Sequence, residues 1–486
     1  MGATVLETPD TSTDLLLPIP EPIDSLLVDT TVLSIDEFFD VVLVNHPVVR
    51  QSFLLNELAR QELRLARGNF DPKLKSNFNA KEFKGTEYYR SWDSKLEVPL
   101  WIPADLNVGY EQNSGTYLNA EQQNTEDGLL YAGVTLPVGR GLFMDERRAA
   151  VRVARLMQDM AEVERVKEIN KVLLTAAKSY WDWFYAYRYY RVVREVEELA
   201  EVRYRGIVIQ VENGDVAPFD SLKAYINYQE RAVQRQQAEL DYENARLMLS
   251  VFLWKASDDD VVPMELARGT IPVRQIDTTL LSLENLGLLQ EFARQNHPDI
   301  IKQQVKGRQL QIDRQLYREF LKPEINIKYN FLTEPLWNDG ASLPSSSEGG
   351  WFMNDYKLGV QFYFPLFLRK ERAKLAMTQI KIEQNFLEGP FQRRQAINNV
   401  TTAYNTLYNL NELIELQATM VSNYEALLAG ESRKFDFGES SVFLINTRET
   451  ELLEARVKLL KLQTQYEKAH MELLYAAGVR NLSELP

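Results

Sequence analysis

The sequence predicts a mainly α fold with β, built from a duplicated helix–β-hairpin–helix unit whose long helices pair as antiparallel coiled coils. Three observations carry this reading: motifs that recur at two constant shifts, a long proline-free run, and period-two alternation between the helical stretches.

Asn45-His46-Pro47 recurs 251 residues later as Asn296-His297-Pro298, and the same shift carries Asp71-Pro72 onto Lys322-Pro323. Arg148-Ala149 recurs as Arg372-Ala373, now 224 residues on, and Gly214 and Phe219 fall on Gly438 and Phe443 at that second shift. Coincidences in this order imply two copies of one unit. The two shifts differ by 27, so the first copy carries an insert of that length between Pro72 and Arg148. The period is far too long for a solenoid repeat. The chain then divides into an extended leader over 1–32 and a first repeat over 33–257, with its β region at about 72–138 and a hairpin tip at about 211–221. A linker over 258–281 leads to a second repeat over 282–480, with its β region at about 323–366 and tip at about 435–445, and a tail over 481–486.

Each copy opens on a helical stretch, Ser34 to Gly68 and Ser282 to Leu321. His46 and His297 each precede a proline in repeat-equivalent places, as a structural turn requires. The run from Arg147 to Asn213 holds no proline and only Gly206, and a helix of that length spans roughly 100 Å. Such a helix must be a strut of a bundle or coiled coil. Leu452, Leu459, Tyr466 and Leu473 fall seven apart, with Ala455, Leu462 and Ala469 interleaved. Ala238, Tyr242, Ala245, Leu249 and Phe252 step in the same way in the first copy, which is the seam a partner helix needs. Gly214 and Gly438 read as left-handed turns between antiparallel helices.

The β regions alternate. Ile325, Ile327, Tyr329 and Phe331 interleave with Glu324, Asn326, Lys328 and Asn330; Tyr356, Leu358, Val360 and Phe362 interleave with Lys357, Gly359 and Gln361. Trp92–Trp101 and Leu106–Tyr110 alternate too, with Pro99 and Pro103 flanking a turn. A membrane barrel hairpin shows this pattern, and so does a half-buried soluble sheet. The strands alone leave both open. Two hairpins bury little against thin coiled coils, but they can complete a barrel between protomers.

Composition excludes other classes. Lys+Arg 55 against Asp+Glu 69 gives a net charge of -14 with no basic patch, so no nucleic-acid partner is expected. There are no cysteines, hence no disulfides, thiolate metal sites or acylated N-terminal cysteine. No apolar run of about 18 residues occurs, which leaves barrel strands unaddressed. Met1-Gly2-Ala3-Thr4 does not begin a signal peptide, so the expectation is a cytoplasmic chain or one whose signal peptide has been removed. No nucleophile–base set, phosphate loop or metal cluster can be assembled, so no enzyme activity and no cofactor are implied.

The duplicated unit, the Asn-His-Pro motifs, the strand exits Val134-Thr135-Leu136-Pro137 and Phe362-Tyr363-Phe364-Pro365, and the helix starts Arg147-Arg148-Ala149 and Arg372-Ala373 together resemble the TolC-like outer-membrane efflux protein family, from about Leu33 to Leu482. The resemblance implies transmembrane β-barrel strands shared in a homotrimer, with a helical tunnel in the periplasm and the barrel in outer-membrane lipid. It implies a passive exit duct of a tripartite efflux pump or type I secretion system, gated by iris-like movement of the hairpins, with a periplasmic adaptor and an inner-membrane transporter as partners. Twelve strands per trimer is the family default; strand parity allows eighteen. The tips carry the gate and adaptor-contact candidates Gly214, Asp215, Phe219, Asp220, Gly438, Glu439, Phe443, Leu444 and Thr447. Well-known members narrow the lumen with an aspartate ring near the second tip; Leu444 and Thr447 stand there, so that ring is absent, while Asp220 holds the matching place in the first copy. Trp92, Trp101 and Trp337 are candidates for a membrane-interface girdle. The aromatic run from Tyr180 to Tyr190 is expected to pack between protomers. The alternative function is a soluble periplasmic coiled-coil adaptor or scaffold.

Overall fold

In the computed structural model, which describes residues 32–122, 127–214, 216–257, 260–267, 270–272, 283–334 and 355–479, the order of elements runs through once and then begins again. After β1 (Val32–Leu33) come α1 (Ile35–Asn45), α2 (Pro47–Arg67), the strands β2 (Lys73–Phe83), β3 (Thr86–Pro99), β4 (Asp105–Ser114) and β5 (Leu129–Pro137), then α3 (Glu146–Glu212) and α4 (Pro218–Ser250). Three short strands follow, β6 (Trp254–Ser257), β7 (Asp260–Pro263) and β8 (Ile271–Pro272). The second round is α5 (Leu283–Asn296), α6 (Pro298–Glu319), β9 (Glu324–Thr333), β10 (Tyr356–Tyr363), α7 (Arg369–Asp436) and α8 (Val442–Ala477). The chain clusters into two units. One is Met1–Leu55, Glu164–Pro298 and Arg393–Pro486; the other is Asn56–Val163 and Asp299–Gln392.

The first unit is helical. Ser34 starts α1 with a capping box, its hydroxyl accepting the Glu37 N–H at 3.2 Å while the Glu37 carboxylate accepts the Ser34 N–H at 2.9 Å. α1 stops at His46 because the residue before a proline is driven out of the helical region; its φ is −65° and ψ 128°. His46 is buried, stacked on Phe252 at 5.9 Å, and its Nδ1 accepts the Val48 N–H at 3.3 Å. The second break, at His297, meets the end of α8: a Cβ on Gly478, which has φ +73°, would lie 3.0 Å from the His297 Cα. Each Asn-His-Pro turn thus seats the end of its own copy's last helix.

The main core of this unit joins α1, α3 and α4 through Phe38, Val42, Tyr180, Trp183, Phe184, Leu249 and Leu253. This corrects one expectation. Tyr180, Trp181, Trp183 and Phe184 are buried within a single chain, with Phe38 and Tyr180 rings 5.7 Å apart, and are not available to a neighbouring protomer. An aromatic run is as well suited to a wide core as to an interface, and α1 folds back to cover it. A second core joins α5, α7 and α8 through Ala293, Val400, Tyr404, Leu407, Tyr466 and Leu473. The heptad residues Leu452, Ala455, Tyr466, Ala469 and Leu473 are all buried.

Two boundaries differ from the sequence reading. Val32 belongs to β1, which pairs in parallel with β8. The linker carries structure, with β6 and β7 paired and the Leu266 and Thr270 carbonyls accepting from the Arg246 guanidinium and the Tyr242 hydroxyl. The leader up to residue 31 and the tail after 480 lie outside the described residues.

The second unit holds a six-stranded, antiparallel sheet in the order β10-β9-β5-β4-β3-β2. The first copy supplies four of its strands and the second copy two. Lys84 and Gly85 both have positive φ (52° and 72°), as a two-residue hairpin turn between β2 and β3 demands. Beside the sheet, α3 packs on α2 through Leu63, Ala66, Val151 and Ala154, and on α6 through Met144, Ala149, Leu316 and Phe320.

Candidate functional site

The two units present two separate candidate regions. In the first unit these are the tips of the helical hairpins α3–α4 and α7–α8. Gly214 and Gly438 turn the chain with φ of 82° and 74°. At the second tip the Gly438 N–H donates to the Phe435 carbonyl at 2.9 Å and the Glu439 N–H to the Lys434 carbonyl at 2.8 Å, the paired bonds of a Schellman motif. Ser441 then caps α8, accepting the Leu444 N–H at 3.4 Å. At the first tip Pro218 opens α4 behind Ala217, and Asp220 stands in the first turn, where its carboxylate complements the helix dipole and pairs with Lys223 at 3.1 Å. Lys223 also lies over the Phe219 ring at 4.6 Å. Phe219 and Phe443 are both 64% exposed. Glu439 and Leu444 are exposed, while Thr447 is half-buried and its hydroxyl donates to the Phe443 carbonyl at 2.9 Å. Asp215 lies outside the described residues.

The structure adds residues that periodicity did not single out. Ile207, Ala224 and Val442 are buried together, with Tyr204, Val211, Val216 and Phe435 packed around them, so the two tips share one small core. Just behind it Arg203 on α3 forks onto the Glu449 carboxylate on α8 and donates to Asn446 at 3.2 Å. Arg231 on α4 is buried and donates to Thr450 on α8 and to Gln234. An Arg in a helical run reads as surface until the partner helix is known. Phe437, beside Gly438, is 81% exposed and also escaped the sequence reading.

In the second unit the sheet has two unlike faces. Register places Leu74, Leu96, Val108, Ala132, Phe331 and Tyr356 in one row across all six strands. The row on the other face reads Lys73, Glu97, Asn107, Gly133, Asn330 and Lys357. The apolar face is open to solvent: Phe78, Val360 and Phe362 are each 63% exposed or more. The sheet curls toward its polar face. Tyr131 on β5 reaches over Gly109 on β4 to donate to Asp93 on β3 at 2.7 Å, and Lys357 on β10 meets Glu111 on β4 at 3.1 Å. Trp92 lies on the apolar face, donating to the Ser76 hydroxyl at 3.1 Å and packing edge-on to Tyr110. Trp101 sits in the β3–β4 turn against Phe70 and beneath Arg155. Trp337 lies outside the described residues. Among the described residues no helix is long and apolar enough to cross a membrane.

The sequence profile described as outer membrane efflux protein matches residues 289–479. No curated protein sequence matches the chain. Solved structures match in fold at low identity. The Campylobacter jejuni CmeC outer membrane channel is 16% identical, with a TM-score of 0.59 over 91% of this chain and 85% of that one. The outer membrane protein VceC of Vibrio cholerae is 14% identical, with a TM-score of 0.61 over 91% of this chain and 96% of its own. The open state of the Neisseria gonorrhoeae MtrE outer membrane channel is 14% identical, with a TM-score of 0.62 over 91% and 88%. Residues 289–479 thus carry the outer membrane efflux protein domain, and the chain has the fold of these outer-membrane channels over nine-tenths of its length.

Proposed function

We propose that this chain is the exit duct of an efflux or secretion assembly: a homotrimeric channel with its sheet in outer-membrane lipid and its hairpins in the periplasm. The observation that carries the reading is the exposed apolar face of a sheet whose other face is polar and concave. A soluble sheet hides such a face, since each Å² left in water costs about 25 cal/mol. In lipid the same face is satisfied, with the polar face lining water. The soluble adaptor or scaffold alternative would have to cover that face.

The helices support the trimer. On α4 Leu222, Ile226, Val233, Leu240 and Leu247 are exposed at steps of four and seven, and on α7 Leu413, Met420 and Leu427 are exposed seven apart. Seams at coiled-coil spacing that the described residues leave uncovered are met by neighbouring copies. Trp92 and Trp101 suit an interfacial girdle. About nine residues of extended chain separate them, roughly 30 Å, which a tilt near 40° reduces to about 23 Å, close to the usual apolar band. Gln112 stands opposite Trp92, and beyond that pair the apolar face gives way to Arg90 and Ser114. The shared tip core and the Arg203–Glu449 link hold the hairpins together, and their release is the gating step. The exposed Phe219, Phe437 and Phe443 are the surface offered to an adaptor, which would couple the duct to an inner-membrane transporter.

The test is the native mass of the protein extracted in detergent from outer membranes after expression behind a signal peptide. A trimer of the 56.2 kDa chain is expected. A monomer released without detergent would refute the duct.

A further inference from the structure

We propose that three copies of this chain close an eighteen-stranded barrel, each β2 pairing with β10 of the next copy. The inference rests on the duct reading above and adds to it the partner of each sheet edge and the width of the bore. Among the described residues the outer edges of β2 and β10 pair with nothing, and β2 and β10 do not pair with each other. The sheet therefore does not close on itself, and within lipid an open edge leaves a row of N–H and C=O groups unsatisfied at several kcal/mol each.

Four features make a second copy the occupant. Six strands is an even number, so β2 and the neighbour's β10 run antiparallel, continuing the alternation of the sheet. The faces also continue. Leu74, Phe78 and Ala80 on β2 meet the apolar face that Leu358, Val360 and Phe362 end on β10, while Lys75 and Asn77 stay with the polar face. In length, β2 has 11 residues and β3 has 14, each enough to span the apolar band. Finally, the hairpin is part of the sheet, since β3 pairs with β4 from Arg90 to Pro99. Peeling it away to expose β4 would break that whole ladder. The insert in the first repeat explains its origin: the run from Lys73 to Pro99 is 27 residues long, the same as the difference between the two repeat shifts.

At a strand spacing near 4.8 Å and a tilt near 40°, eighteen strands give a backbone diameter of about 36 Å, against about 24 Å for twelve. The bore widens about 1.5-fold, and the polar face that lines it is wide enough for larger cargo at the outer end of the duct.

The chain lacks cysteine, so engineered pairs report cleanly. Asn77→Cys on β2 would be combined in turn with Lys357→Cys, Gly359→Cys and Gln361→Cys on β10, and a control would join Asn107→Cys on β4 to Gly359→Cys. Membranes would be oxidised and resolved without reductant, beside the native mass of the unmodified trimer. Covalent trimers from at least one β2–β10 pair and none from the β4 control are expected, with a barrel about 36 Å across in a reconstruction of the detergent-solubilised particle. Covalent trimers from the β4 control, or a native trimer about 24 Å across, would overturn the eighteen-stranded barrel and leave the duct standing. A native trimer that forms no β2–β10 bond in any combination would likewise overturn it. A monomeric native mass would sink the duct reading itself.

Discussion

Gly109 and His46 show how single side chains set the shape of each unit. A Cβ on Gly109 would lie 2.5 Å from the Tyr131 ring and 2.8 Å from the Ser94 carbonyl, so only glycine lets Tyr131 cross β4 and reach Asp93. Gly109→Ala should cost about 1–3 kcal/mol by overpacking. Tyr131→Phe, which removes only the hydroxyl, should cost about 1 kcal/mol. Thermal dissociation of the purified protein measures both, and equal losses would mean the ring does not hold the curl. His46 has the opposite environment. Burial holds its imidazole below the ordinary value of 6.5, with Nδ1 kept as an acceptor for Val48. The unfolded chain therefore takes up the proton first. His46's contribution is complete above about pH 6.5 and shrinks as pH falls toward the folded value. Between about pH 7.5 and 5.5 the native protein should lose more thermal stability than His46→Gln; parallel losses would place the titration elsewhere.

At the scale of elements, the hairpins are held by turn geometry and by cross-links about two to four turns behind the tips. Gly438→Ala forces a Cβ into the left-handed region, at about 1–2 kcal/mol. Arg203→Ala strands the Glu449 carboxylate, which is only 15% exposed, at about 1–3 kcal/mol. Both should raise leak of large antibiotics through the outer membrane without abolishing assembly, as should charge reversal at Asp220. Unchanged leak in all three would count against the tips as the gate. The periodic patterns of α4 and α8 were legible in the sequence because a heptad seam is a local property. The Arg203 and Arg231 links were not, since they join residues more than two hundred positions apart.

For the whole molecule, the proposed trimer depends on surfaces that the described residues of one chain leave uncovered. Val233→Glu with Leu240→Glu places two charges on the exposed α4 seam, where they have no effect on the isolated fold and a large one on a buried interface. The expected outcome is loss of the trimer in native mass, with helical content preserved. A trimer of normal stability would show that the α4 seam faces solvent or lumen.

By itself the sequence determined the long helices, the left-handed glycine turns, the Asn-His-Pro breaks and the alternating strands, and its recurring motifs are what propose the duplication. All of these are set by spacing and backbone preference within a short window. Strand number was left at two or four in the first copy, because alternation in Lys73–Phe83 is diluted by asparagine and serine until β3 is seen beside it. The aromatic run on α3 had no local signal to say whether it met its own α1 or another copy. The shared tip core, the curl over Gly109 and the open edges at β2 and β10 belong to tertiary structure alone. Each is decided by which distant segments meet, and meeting is a property of the folded chain.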